Sequence, residues 1–166
     1  PQEVVLHEGA WARSTMEVRI AEGGAGMGLE ATIFGRRESG ELFTHGHLRQ
    51  HLRLFLGDEL LLDDLACIDA GALAAGPVLG THHASGLLWA VREGVFDEAL
   101  SDDVLEALGE ESEVWSGVSV PEKSLMLVRV VASHPERLMR ALRRAWAFLR
   151  PSVTGRPARF PRIWMT

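Results

Sequence analysis

The most regular alternation in this chain runs through residues 48–56, and it requires a sheet as the framework into which everything else must fit. Leu48, Gln50, Leu52, Leu54 and Leu56 take the even positions, while Arg49, His51, Arg53 and Phe55 take the odd ones. Successive strand side chains point to opposite faces, so one oily face and one mostly charged face predict a half-buried strand. Gly57 and Asp58 follow as a tight turn, and residues 59–65 return as the second strand of a hairpin. Asp63 and Asp64 at the end of that hairpin are carboxylates in oily surroundings, as is Glu30 in the apolar run 29–34. Each must be solvated, paired or bound to a cation. Arg36, Arg37 and Arg53 are the natural partners in sequence.

Around this hairpin the pattern supplies further strands. Residues 4–7 are short and β-branched, residues 11–20 alternate again, and residues 29–34 form a third strand. The glycine run at 23–28 lacks the Lys-Ser/Thr of a phosphate loop and leads into a strand rather than a helix, which makes it a flexible turn. Residues 70–85, rich in Gly and Ala, read as a connection in which His82 and His83 form polar loop surface. After residue 85 the order becomes strand, helix, strand, strand, helix. Apolar residues at 96, 99, 100, 104, 107 and 108 have helical spacing, and residues 114–120 and 125–131 are strands about a turn at 121–123. Ser133 and Glu136 then form a capping box with Pro135 in the first turn. Leu138, Ala141, Leu142, Ala145, Trp146 and Leu149 form the buried stripe of that helix, which should stop near Pro151. The two helices should pack on one face of a small antiparallel sheet. The first is acidic (Asp97, Glu98, Asp102, Asp103, Glu106) and the second basic (Arg137, Arg140, Arg143, Arg144), either compensating each other or forming two charged docking faces. The fold class is thus mainly β with two α-helices, an α+β chain read as one domain or the C-terminal part of one. Residues 1–69 form a strand and hairpin region, 86–150 a β-α-β-β-α region and 151–166 a tail.

Composition narrows the partners. With 166 residues, 46% of them hydrophobic, the chain can bury a core. A net charge of -6 and a pI near 5.6 oppose binding to a phosphate backbone, so no nucleic acid is expected. A lone cysteine, Cys67, makes no internal disulfide and fits a reducing compartment. No apolar run approaches the ~20 residues that cross a bilayer, and no leader precedes the first strand, so a cytoplasmic location without membrane contact is expected. The chain opens on Pro1 rather than Met, as a fragment would. His45, His47 and His51 suggest a metal cluster, but on one strand His45 and His51 lie roughly 20 Å apart. One ion reaches both only if the chain bends at Gly46. The alternative places His51 on the solvated face and His45 in a polar turn.

The tail, with Trp146, Phe148, Leu149, Arg150 and Pro151, then Thr154 and Gly155, then Pro161, Arg162, Ile163, Trp164, Met165 and Thr166, resembles the C-terminus of the UreD (UreH) family of urease accessory proteins. Gly9-Ala10 with Ala12-Arg13, Phe34-Gly35-Arg36, and the box of Gly40, Glu41, Phe43, Thr44, His45 and Gly46 are similar to the same family. The resemblance implies a scaffold rather than an enzyme. Such a protein would assist assembly of the urease nickel metallocentre by binding apo-urease and a helical accessory protein of the UreF type, which recruits a nickel-delivering GTPase of the UreG type. It also implies an elongated, helically wound β-sheet, truncated here at the N-terminus, and no tightly bound cofactor, only nickel in transit along an internal water-filled route. Nickel accepts imidazole and oxygen ligands, so Glu30, Glu41, His45 and Asp64 are the candidate way-points. Glu41 and His45 equally suit the holding of a turn by hydrogen bonds. Arg150, Arg162 and Trp164 are the candidates for anchoring the tail or a partner.

Two other functions compete. A metal-dependent hydrolase would use His45, His47 and an acid, yet the sequence has no second metal-ligand pair, no helical His-x-x-x-His and no nucleophile elbow. A nickel carrier or storage protein would call for a higher density of ligands than seven His and one Cys.

Overall fold

The computed structural model describes residues 3–74 and 79–160. Its strands divide between two sheets. The first holds β1 (Val4–Leu6), β3 (Ala25–Phe34), β6 (Ala84–Arg92), β8 (Leu125–Ala132) and β7 (Val114–Glu122) in the order β1-β3-β6-β8-β7. β1 runs parallel to β3 and every other pairing in this sheet is antiparallel. The second holds β2 (Trp11–Ile20), β4 (His47–Leu56) and β5 (Glu59–Asp69), with β2 parallel to β4. The expected hairpin is β4–β5, closed by Gly57 at φ 59°, a left-handed conformation that costs glycine nothing. Helices α1 (Ala70–Ala74), α2 (Glu98–Leu108) and α3 (Pro135–Thr154) and a short 3-10 turn at Arg37–Ser39 complete the described elements, so a short α1 joins the two expected helices. None of these helices is long and apolar enough to cross a membrane.

The central strands of the five-stranded sheet are covered on both faces, which explains why residues 87–91 of β6 read as a continuous apolar run rather than an alternation. On one face Leu88, Met126, Val128 and Val130 pack against Val104 and Leu108 of α2 and the whole predicted stripe of α3, including Leu138, Leu142 and Leu149. On the other, Trp89, Val91, Leu125 and Leu127 meet Leu52, Leu54 and Leu56 of β4. Burying each such leucine contributes about 1.5–3 kcal/mol, so the oily even face of β4 fixes how the second sheet docks. A third cluster, with Leu6, Phe34, Phe43 and Leu48, seals the end where β1 and the 36–46 loop meet.

Several local expectations change. The glycine turn ends at Gly24, and β3 already begins at Ala25. A Cβ on Gly28 would lie 2.1 Å from the Trp89 ring and one on Gly26 2.8 Å from Ile20, so these glycines make room for packing. Ser133 does not cap α3: its N–H donates to the Glu113 carbonyl, and the N-cap is His134 without a side-chain bond. α3 also runs through Pro151. Its last turn forfeits little by one missing N–H, Val153 is buried there, and Gly155 at φ 67° closes the helix by donating to the Pro151 carbonyl. Pro121 and Glu122 belong to β7, where an edge strand tolerates proline beside the irregularity at Ser119/Glu122. His82 is not loop surface. It is 6% exposed, its Nδ1–H donates to the Leu79 carbonyl, and its ring lies 4.7 Å from that of Trp115.

Candidate functional site

Between the two sheets, beside the leucine cluster, lies a cavity of about 320 Å³ whose largely apolar walls carry a few polar and charged side chains. β3 supplies Glu30 and Thr32, β4 supplies Gln50, β5 supplies Asp64, β6 supplies Ser85, and β8 supplies Arg129. The register explains the placement: Asp64 stands opposite Leu52, on the inward face of its hairpin, whereas Asp63 stands opposite Arg53 on the outward face. Glu30 likewise alternates with the core residues Leu29 and Ala31 and so faces the second sheet.

Inside the cavity Gln50 donates from Nε2 to Glu30 Oε2 at 3.0 Å, and Arg129 donates from Nη2 to Asp64 Oδ2 at 3.0 Å. Burial, and after it the charge of Asp64, pushes the Glu30 carboxyl above the ordinary carboxylate range, with the Gln50 bond opposing. Two carboxylates, one ion-paired with a guanidinium and one hydrogen-bonded by a neutral amide, thus face a space large enough for a hydrated ion. Oxygen donors of this kind suit a hard divalent cation and hold nickel less firmly than imidazoles would.

Glu41 and His45 lie elsewhere, around Glu8. Glu41 accepts from the Glu8 backbone N–H at 2.8 Å and from Arg36 Nε at 2.7 Å, and His7 Nδ1 lies 3.3 Å away. The Glu8 N–H first, and Arg36 after it, hold the Glu41 carboxyl low. Glu8 in turn accepts from the Thr44 hydroxyl and N–H, both at 2.6 Å, and from His45 Nδ1 at 2.8 Å. The Thr44 hydroxyl, the His45 ring and the Thr44 N–H bring the Glu8 carboxyl down to about 2. The result is a latch tying the turn after β1 to the 41–45 loop, with the His45 side chain 85% exposed at its rim.

The three histidines of the hairpin region go separate ways. His45 meets Glu8, His47 lies 5.6 Å from the Trp11 ring, and His51 Nε2 meets Asp63 at 2.6 Å. Among the described residues no three His, Cys, Asp or Glu side chains converge to hold an ion. Arg150 stacks over the Trp146 ring at 4.7 Å and donates to the Pro157 carbonyl, holding the segment after α3 against the helix, and Phe160 stacks on the same ring at 5.3 Å. Arg162 and Trp164 lie outside the described residues.

Sequence reasoning missed Gln50, Arg129 and Glu8. The first two carried a signal: Gln50 is the one polar member of the oily row 48–56, and Arg129 is the one charge in the apolar strand 125–132. Glu8 carried none, since a Glu-Gly pair after a strand reads as an ordinary turn.

Comparison with known proteins gives a consistent result. The model of the family described as UreD urease accessory protein matches residues 1–165. The urease accessory protein UreD of Cupriavidus pinatubonensis is 34% identical over 171 residues, covering 100% of this chain and 59% of the relative. Its counterparts in Cupriavidus metallidurans and Klebsiella pneumoniae subsp. pneumoniae are 32% and 30% identical, again across 100% of this chain and 59% and 58% of their own lengths. The chain therefore spans less than two thirds of the length of these relatives.

Proposed function

Because this chain belongs to the UreD family of urease accessory proteins, we propose that it forms part of a scaffold for assembling the urease nickel metallocentre, with nickel as cargo rather than resident cofactor. The observation that carries the reading is the cavity between the sheets, where Glu30 and Asp64 face each other's space across β3 and β5. Two carboxylates, one of them already ion-paired, bind a divalent ion loosely, as a route requires. A third strong ligand would turn the route into a trap. Gln50 and Arg129 hold the carboxylates in place, each through one oxygen, which leaves Glu30 Oε1 and Asp64 Oδ1 for an ion. Glu41 and His45 serve the Glu8 latch at the loop surface instead of the route.

The partners follow from the same reading. Apo-urease is the recipient, and a helical accessory protein of the UreF type links the scaffold to a GTPase of the UreG type. The direct test is size-exclusion chromatography with light scattering of the full-length protein mixed with the helical accessory protein and with apo-urease. A joint peak at the summed mass supports the scaffold role. Separate elution of folded, monodisperse components refutes it.

A further inference from the structure

β7 ends the five-stranded sheet, and among the described residues nothing pairs with its outer side. A free edge offers a row of unpaired N–H and C=O groups and is normally blunted by charge, by proline or by shortness. The other edges follow that rule: β2 carries Arg13, Glu17 and Arg19, β5 carries Glu59, Asp63 and Asp64, and β1 is 3 residues long. Residues 114–120 of β7 contain no charged side chain, and protection begins only with Pro121 and the adjacent irregularity. An uncharged strand rich in valine, left open along most of its length, is built to be covered.

The flanks of this edge indicate what covers it. On one side α2 and the loop after it form a groove of about 1200 Å³ lined by Asp102, Leu105, Glu106, Glu110, Val114 and Ser116. The basic row on α3 leaves these acids alone: Arg137, Arg140 and Arg144 pair with Glu111 and Glu113 of the loop. Among the described residues no ion pair neutralises Asp102, Glu106 or Glu110, and Leu105 beside them is 46% exposed. On the other side, Val114 and Val118 pack toward the helices, so alternation turns Trp115 to the opposite face, where it rests on His82 with 64% of its surface exposed.

We propose that the open edge of β7 is a docking site for an extended segment of a protein partner whose residues alternate between basic and apolar. Strand addition would satisfy the free backbone groups of residues 114–119. Basic residues of the added strand would face Asp102 and Glu106 of α2, and apolar residues would cover Trp115, the residue type that most often anchors an interface. The inference rests on the assembly role proposed above, since it says by which edge the scaffold holds one of its partners.

The test uses the full-length protein with apo-urease and the accessory proteins of the same organism. Asp102→Lys/Glu106→Lys and Trp115→Ser are compared with the unmodified protein and with Asp58→Lys, a charge reversal at the exposed β4–β5 turn. Lysine is a good helix former, both positions are exposed, and Glu106 lies in the last turn where a cation suits the helix dipole, so the double variant is expected to fold, which circular dichroism checks. Each β7-flank variant should weaken association with one partner at least about tenfold at low salt, with Asp58→Lys unchanged. The deficit of the double variant should shrink at high salt, as an electrostatic term does. Hydrogen exchange at residues 115–119 should slow when that partner binds. Three results overturn the proposal: unaltered association of both variants, protection of β7 already complete in the free full-length protein, or self-association that the variants abolish. The second would give the edge to the protein's own remaining residues and the third to a second copy. If the unmodified protein forms no complex at all, the assembly role falls as well. If it binds and the variants bind equally, only this inference falls.

Discussion

Replacing Gly28 by alanine tests how the two sheets are pressed together. Gly28 pairs directly with Trp89 across β3 and β6, and the indole occupies the space a side chain at position 28 would need. A Cβ there would stand 2.1 Å from Cζ2, 2.3 Å from Cε2 and 2.7 Å from Nε1, so the ring must retreat by about 1.3 Å to reach an ordinary 3.4 Å contact. Trp89 has no free space for the move, being 5% exposed and wedged among Leu52, Leu54 and Leu127. Overpacking of this kind costs about 1–3 kcal/mol, against which alanine returns about 0.5–1 kcal/mol of backbone entropy. The net expectation is a loss of about 1–2 kcal/mol in urea denaturation followed by far-ultraviolet circular dichroism. A cycle makes the test specific. Trp89→Leu alone should cost about 2–3 kcal/mol, below the roughly 3–5 kcal/mol of a core Trp→Ala because leucine fills part of the space, but Gly28→Ala in that background should be neutral or mildly stabilising. An equal cost in both backgrounds would refute the claim that Gly28 exists to admit the indole.

Three further outcomes are expected. Leu142→Ala, at a side chain with 0% exposure that fills the space over Gly86, should cost about 2–5 kcal/mol; a loss below about 1 kcal/mol would mean that α3 is not seated on β6 as described. Burial, with Arg37, His134 and His82 nearby, pushes His83 from 6.5 to about 4, so the unfolded chain binds more protons in that interval. The His83 contribution should therefore lower stability as pH drops from about 6.5 to about 4 and change no further below, by about 1 kcal/mol once the partial exposure of the ring is allowed for, and His83→Gln should flatten this slope. Glu8 is depressed from 4.5 to about 2, so its latch is fully present above pH 4.5 and is lost as pH falls through 2; Glu8→Gln should remove that part of an acid titration, and an unchanged titration would show the latch to be idle.

The framework was legible because period-two alternation and the α3 stripe are direct images of burial. The even leucines of β4 and the positions 138, 141, 142, 145, 146 and 149 are where the sequence pattern placed them. Less legible were features decided by contacts distant in sequence. Gly26 and Gly28 look like a loop until Ile20 and Trp89 are seen above them. Ser133 looks like a cap until its N–H is found bonded to Glu113. Of the site, Glu30 and Asp64 were marked by the cost of a carboxylate in an apolar strand, and the same logic applied to Gln50 and Arg129 would have completed the cavity. Glu41 and His45 shared that chemistry, but chain geometry placed them on the Glu8 latch, which no local pattern announces.

The measurement closest to the central claim is urease activation by the full-length protein carrying Glu30→Ala and Asp64→Ala, with nickel, apo-urease and the accessory proteins supplied. Asp63→Ala, on the outward face of the same hairpin, serves as control. If the cavity between the sheets carries nickel, the double variant still enters the complex, while urease recovers with less nickel and lower activity than in the control. Normal nickel content and activity with the complex intact would contradict the account and remove both carboxylates from the route.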